Sequence, residues 1–195
     1  MEQEQLFIDY IERSIVQNWD KNALTDYQGI TLQYKDVARK IAKFHIVLES
    51  AGIRPGDKIA VCGRNSAHWA VCFLATVTYG AVIVPILHEF KADNIHNIVN
   101  HSEAKLLFVG DRAWENLNEE AMPLLMGVVL LTDFTPVVCR DERLMGKHSN
   151  TVMLSMAHAI PKTSVPNISA IARNSLLKNW RSSITLPAPP AIPKA

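Results

Sequence analysis

Three short apolar runs dominate the middle of the chain, separated by two longer amphipathic ones. The runs are Ile59-Ala60-Val61-Cys62, Val82-Ile83-Val84-Pro85-Ile86 and Leu106-Leu107-Phe108-Val109. None alternates apolar with polar positions, as a strand with one wet face would. Continuous runs of this length suit strands buried on both faces of a parallel sheet. Parallel neighbours need a crossover between them, usually a helix. Asn65-Ser66 reads as the cap of a helix from Ala67 to about Thr78, closed by Gly80. A second helix, about Lys91 to His101, sets Ile95, Ile98 and Val99 on one face. The pattern is β-α-β-α-β, and mid-strand Ile83 and Val84 are both expected in the core. On that expectation Ile83→Asp would bury an unpaired carboxylate and unfold the domain.

Upstream, Leu6, Ile8, Tyr10, Ile11 and Ile15 predict an opening amphipathic helix over residues 3 to about 19. Leu24-Thr25-Asp26 and Ile30-Thr31-Leu32 predict a hairpin around Tyr27-Gln28-Gly29, with Gly29 supplying a positive φ. A long helix from about Tyr34 buries Val37, Ile41, Phe44 and Leu48. Ala51-Gly52 ends it, and Arg54-Pro55-Gly56-Asp57 turns into the first core strand. Beyond Val109, a short helix is predicted from Asp111 to Leu117 and a fourth strand from Val128 to Leu131, before Thr132-Asp133. After about Arg143 the pattern fades. Leu176-Leu177, Trp180 and Ile184 mark one weak helix, and LPAPPAIPKA ends the chain with four prolines in ten residues. The expected class is therefore α/β: a partial doubly wound, mostly parallel sheet with helices on both faces, an N-terminal helix and hairpin, and an irregular tail. Residues 1–145 form the folded part and 146–195 the tail.

The 195 residues are 48% hydrophobic and 20% charged, with formal net charge +1. No dense Lys/Arg block points to nucleic acid. The opening MEQEQLFIDYIERS is acidic and unlike a signal peptide, and Trp69 to Ile86 divides into helix and strand rather than a membrane span. Cys62, Cys72 and Cys139 are odd in number and lack metal-type spacing, as expected of reduced thiols in a cytoplasmic protein. Cys62 and Cys72 fit small core hydrophobes better than nucleophiles. His68, His96 and His101 do not share one helical face, which favours surface or cap roles over a metal site. Gly63-Arg64-Asn65-Ser66 lacks a Gly-x-Gly-x-x-Gly, so capping outweighs phosphate binding there. Trp69 and Phe73, four apart, suggest helix-on-sheet packing. No catalytic, cofactor-binding or metal residue stands out.

Residues 23–133 resemble the N-terminal region of the acyl-adenylate-forming enzymes, the AMP-forming acyl-CoA synthetases in particular. The segments come in the family's order: ITLQYKDVARKIAKFHIVLESAGI, RPGDKIAV, GRNSAHWAVCFLATVTYGAVIVPI and KADNIHNIVNHSEAKLLFVGD. Gln33 stands where the family usually places a Thr helix cap. The resemblance implies a parent that activates a fatty or other carboxylic acid with ATP and Mg²⁺ and transfers it to coenzyme A. The family's Ser/Thr/Gly-rich phosphate loop is missing, since the eight glycines are scattered singly. The genetic code offers a reason. Codons chosen for Thr185 to Ala195 and read from each third base can spell TSGTTGYSKG, the missing loop. Leu176 to Thr185 can give PEELALINY, and Lys162 to Asn167 can give NFRPE. The residues after about 140–150 are therefore expected to be out-of-frame translation, with the shift between codons 134 and 162. The chain would be an inactive N-terminal fragment with no cofactor of its own. The alternative is a free-standing Rossmann-like nucleotide-binding or interaction module. Oligomeric state is not legible.

Overall fold

The computed structural model describes residues 7–145. The expectations placed on 146–195, including the weak helix, lie outside the described residues, as does most of the range 134–162 given for the frame shift. The chain opens with α1 (Phe7–Gln17), then a small hairpin of β1 (Asn22–Thr25) and β2 (Thr31–Gln33) leading into α2 (Tyr34–Ser50). Next come β3 (Lys58–Cys62), α3 (Ala67–Tyr79), β4 (Val82–Ile86), α4 (Ala92–Ser102) and β5 (Leu106–Val109). A short α5 (Asp111–Trp114) and a 3-10 turn (Glu119–Ala121) precede β6 (Gly127–Leu130), β7 (Pro136–Cys139) and α6 (Glu142–Met145).

Five strands form one sheet in the order β4-β3-β5-β6-β7, parallel except for β7, which pairs antiparallel with β6. Central β3 and β5 have every residue from Ile59 to Cys62 and from Leu106 to Val109 buried. Alternate side chains feed two cores. Ile59, Val61, Leu106, Phe108 and Val129 meet α2 and α3 on one face; Ala60, Cys62, Leu107, Val109 and Val128 meet Ile95 and Val99 of α4 on the other. Phe44 of α2 lies 4.8 Å from Phe108, centroid to centroid, fixing α2 on the sheet. Fully burying such a side chain stabilises by about 1.5–3 kcal/mol.

The caps follow from sequence. Ser66 Oγ accepts the Trp69 N–H at 3.1 Å, and Gly80 closes α3 with φ 85°. At Gln33 the missing Thr is offset by Asp36, whose carboxylate accepts the Gln33 N–H at 3.1 Å.

Two expectations change, and two elements are added within the expected folded part. Gly29 does not supply the positive φ of the hairpin; Gln28 does, at φ 54°. Gly29 is needed for space instead, because a Cβ there would sit 2.8 Å from Asp26 Cβ. Ile83 and Val84 are half-buried rather than core, because β4 is the edge strand among the described residues. Finally β7 and α6 continue the fold past Asp133. The Pro136 ring starts an edge strand, where a missing donor costs least.

One buried polar group joins α2 to α3. His45 Nε2 lies 3.0 Å from both the Ala75 carbonyl and Thr78 Oγ1. Burial pushes its pKa down to about 4 from 6.5, only partly opposed by the Ala75 bond. The unfolded chain thus takes up a proton near pH 6.5 that the folded chain refuses until about pH 4. Stability is therefore complete above that window and falls as pH drops through it, by up to about 3 kcal/mol. Urea denaturation at the two ends of the window should show the loss, and His45→Gln should remove this part of it. Separately, Ile59→Asp should abolish cooperative melting, whereas edge residue Ile83→Asp should leave a folded, weakened domain.

Candidate functional site

The candidate site is dictated by the strand order. Leaving β3 the chain turns one way, towards β4; leaving β5 it turns the other, towards β6. Such a reversal opens a crevice beyond the C-terminal ends of the two strands, where ligands of open α/β sheets bind. Gly63 and Gly110 occupy those two ends. The Gly110 N–H donates to the Cys62 carbonyl at 2.8 Å, and a Cβ on Gly63 would meet Gly110 N at 3.5 Å and Leu131 Cδ1 at 2.6 Å. The small residues let the strand ends converge without filling the crevice above them.

A cavity of about 650 Å³ lies over this point. The β3–α3 turn lines it with Arg64 and Ser66, the first turn of α3 with His68, and α5 with Asp111 and Arg112. Ile30, Phe90 and Leu117 give it apolar walls. Both guanidinium groups are exposed. The carboxylates are engaged structurally. Asp26 Oδ1 accepts the Ala67 N–H at 2.7 Å, and Asp111 Oδ1 accepts the Thr132 hydroxyl at 2.6 Å. With Asp26 and Ser66 holding first-turn N–H groups of α3, the Asn65-Ser66 segment serves as a cap.

His68 has a structural role too. Its Nδ1 donates to the Leu131 and Thr132 carbonyls at 2.9 and 3.0 Å, pinning the turn after β6 to α3. Burial, with nearby Lys40, lowers its pKa, so the ring stays neutral. Phe134, buried at φ 59°, packs 4.7 Å from the same imidazole. His96 accepts the Asn118 N–H at 3.1 Å, and His101 is exposed on the last turn of α4. These three histidines are not brought together. Trp69 and Phe73 stack at 5.6 Å, as packing requires. Cys62 and Cys72 are buried, with burial raising both thiols, Cys62 to about 11; half-buried Cys139 is raised as well.

The sequence reading missed Arg64 and Arg112. A signal existed: each follows a glycine closely at the end of an apolar run, where parallel strands present ligand-binding residues. Chemically, the cleft offers two cationic side chains, Arg64 and Arg112, to an anionic group and the Phe90 ring to an apolar one.

Residues 11–168 match the family described as AMP-binding enzyme. The fatty acid–[acyl-carrier-protein] ligase ScoC of Streptomyces coeruleorubidus is 31% identical over 84 residues, 43% of this chain and 16% of that protein. The acetyl-coenzyme A synthetase of Chlorobaculum tepidum is 38% identical over 80 residues, 41% of this chain and 12% of that one. In fold, the coronafacic acid ligase of Pectobacterium brasiliense superposes with a TM-score of 0.62 at 16% identity, covering 82% of this chain and 31% of the other. The chain thus spans less than a third of each protein compared.

The glycine pair gives the site a direct test. Gly63→Ala should push Leu131 aside and cost about 1–3 kcal/mol, read as a lower denaturation midpoint with an unchanged slope.

Proposed function

This chain belongs to the AMP-binding enzyme family, and we propose that it is the N-terminal portion of an AMP-forming acyl-CoA ligase that activates a fatty acid. The observation that carries this reading is one of extent. The family match takes in residues 11–168, yet the chain covers only 16% of the fatty acid ligase it resembles. In the parent, the carboxylate would attack the α-phosphate of ATP, releasing pyrophosphate, and the thiol of coenzyme A would then displace AMP from the acyl-adenylate. Residues 1–145 would supply the crevice, and 146–195 would be the out-of-frame tail. Among the described residues no three His, Cys, Asp or Glu side chains gather to hold a metal ion. The three cysteines, all unpaired, favour the cytoplasm. No described helix is long and apolar enough to cross a membrane.

A second reading, a free-standing nucleotide-binding module, is favoured by the cleft itself, where Arg64 and Arg112 flank the strand-end crevice.

Two measurements separate these readings. Under the first, the full chain incubated with ATP and a fatty acid releases no pyrophosphate above a protein-free blank, and the gene past codon 162 spells NFRPE and then TSGTTG in the offset frame. Turnover, or a gene without that spelling, ends the fragment reading. Under the second, ATP titrates saturably, and Arg64→Ala or Arg112→Ala weakens it about tenfold or more; a flat titration ends that one.

A further inference from the structure

The cleft has one wall that the five-stranded sheet does not supply. The turn of the small hairpin lines it with Asp26, Gly29 and Ile30. Ile95 and Leu131 also reach the lining, but their surfaces belong to the core, only 2% and 4% exposed. Ile30 and Phe90 keep 44% and 40% of theirs exposed, although both are large and apolar. A single exposed apolar side chain is ordinary on a protein surface. Two that line one cavity offer dry contact area to a ligand.

Asp26 fixes the place of Ile30. Its N–H donates to the Ile30 carbonyl at 2.9 Å, and its carbonyl accepts the Gly29 N–H at 3.1 Å, closing the turn. Its carboxylate reaches out of the hairpin to the Ala67 N–H at 2.7 Å, a first-turn donor with no partner inside its own helix. One residue thus holds both the Ile30 backbone and the start of α3, the helix that follows the Gly63 strand end. The two hairpin strands are anchored separately. Leu24 and Leu32 pack into the core, and the Thr31 hydroxyl donates to that of Thr25 at 3.2 Å. Loss of the Asp26 carboxylate therefore leaves the hairpin paired and loosens the turn that carries Ile30. We propose that this turn is the selective wall of the cleft: Ile30 is a specificity-determining residue that meets the base of a bound nucleotide, and Asp26 is the positioning residue that sets it there. A nucleoside triphosphate divides as the lining does. Its phosphates call for cations, supplied by Arg64 and Arg112, and its base has flat faces that call for apolar contact.

That the ligand is a nucleotide rests on the second reading above; the placing of Ile30 by Asp26 does not. The test titrates the full chain by calorimetry with ATP and, separately, with inorganic tripolyphosphate, which has the charge but no base. ATP should bind the more tightly of the two. Ile30→Ala should weaken ATP about threefold to tenfold and leave tripolyphosphate unchanged. Asp26→Ala should lower the ratio of the two affinities in the same way, the loss of its charge acting on both ligands alike. Asp26→Asn keeps an oxygen acceptor for the Ala67 N–H and should keep the wild-type ratio. Arg64→Ala should weaken both ligands together. Urea midpoints report whether each variant is folded, and Ile30→Ala carries the test if Asp26→Ala is not. An affinity ratio that Ile30→Ala leaves unchanged overturns the proposal while the nucleotide reading stands. A flat ATP titration of the unmodified chain ends both.

Discussion

The central pairing of β3 with β5 is the constraint on which everything else depends. Ile59 to Cys62 and Leu106 to Val109 have no side chain that water could satisfy, so both faces of this pair must be covered. That requirement assigns α2 and α3 to one face and α4 to the other. It also sets the polarity of the site. With both faces covered by the described helices, a ligand approaches the central strands beyond their ends. There Gly63 and Gly110 keep the space open.

The polar side chains around the cleft divide into those that build it and those it can offer. Asp26, Asp111 and His68 are spent on turns and caps, each holding a backbone group or hydroxyl within 3.0 Å. Arg64 and Arg112 remain exposed towards solvent. The result is a hydrogen-bonded frame with two exposed cations at its rim, charges that can place an anion against the apolar walls.

Continuous apolar runs made the β-α-β-α-β frame legible, because a strand buried twice cannot hide its pattern. The long helix was equally plain from Val37, Ile41, Phe44 and Leu48, all buried. Depth within the sheet was harder to read. Val82 to Ile86 looks as apolar as the central strands, yet Val82 is 46% exposed. Pro85 carried the warning, since a residue without an N–H is confined to edge strands, strand starts and bulges. Strand β7 escaped notice because Pro136-Val137-Val138-Cys139 is short and begins with a residue usually read as a breaker. The cleft was invisible for another reason. Asp26, His68, Arg112 and Thr132 lie far apart in sequence, and only the hairpin turn together with the ends of the parallel strands brings them to one rim.

Among the described residues β4 is an edge strand, and that position has a consequence for self-association. The Val82 N–H bonds back to the Asp57 carbonyl, so the alternate residues Ile83 and Pro85 turn their backbone outward. Ile83 presents a donor and an acceptor to an incoming strand, but Pro85 presents only its carbonyl. Two copies meeting along this edge would lose one of the two donors that the strand turns outward. An apolar edge that invites growth of the sheet is thereby built to refuse it.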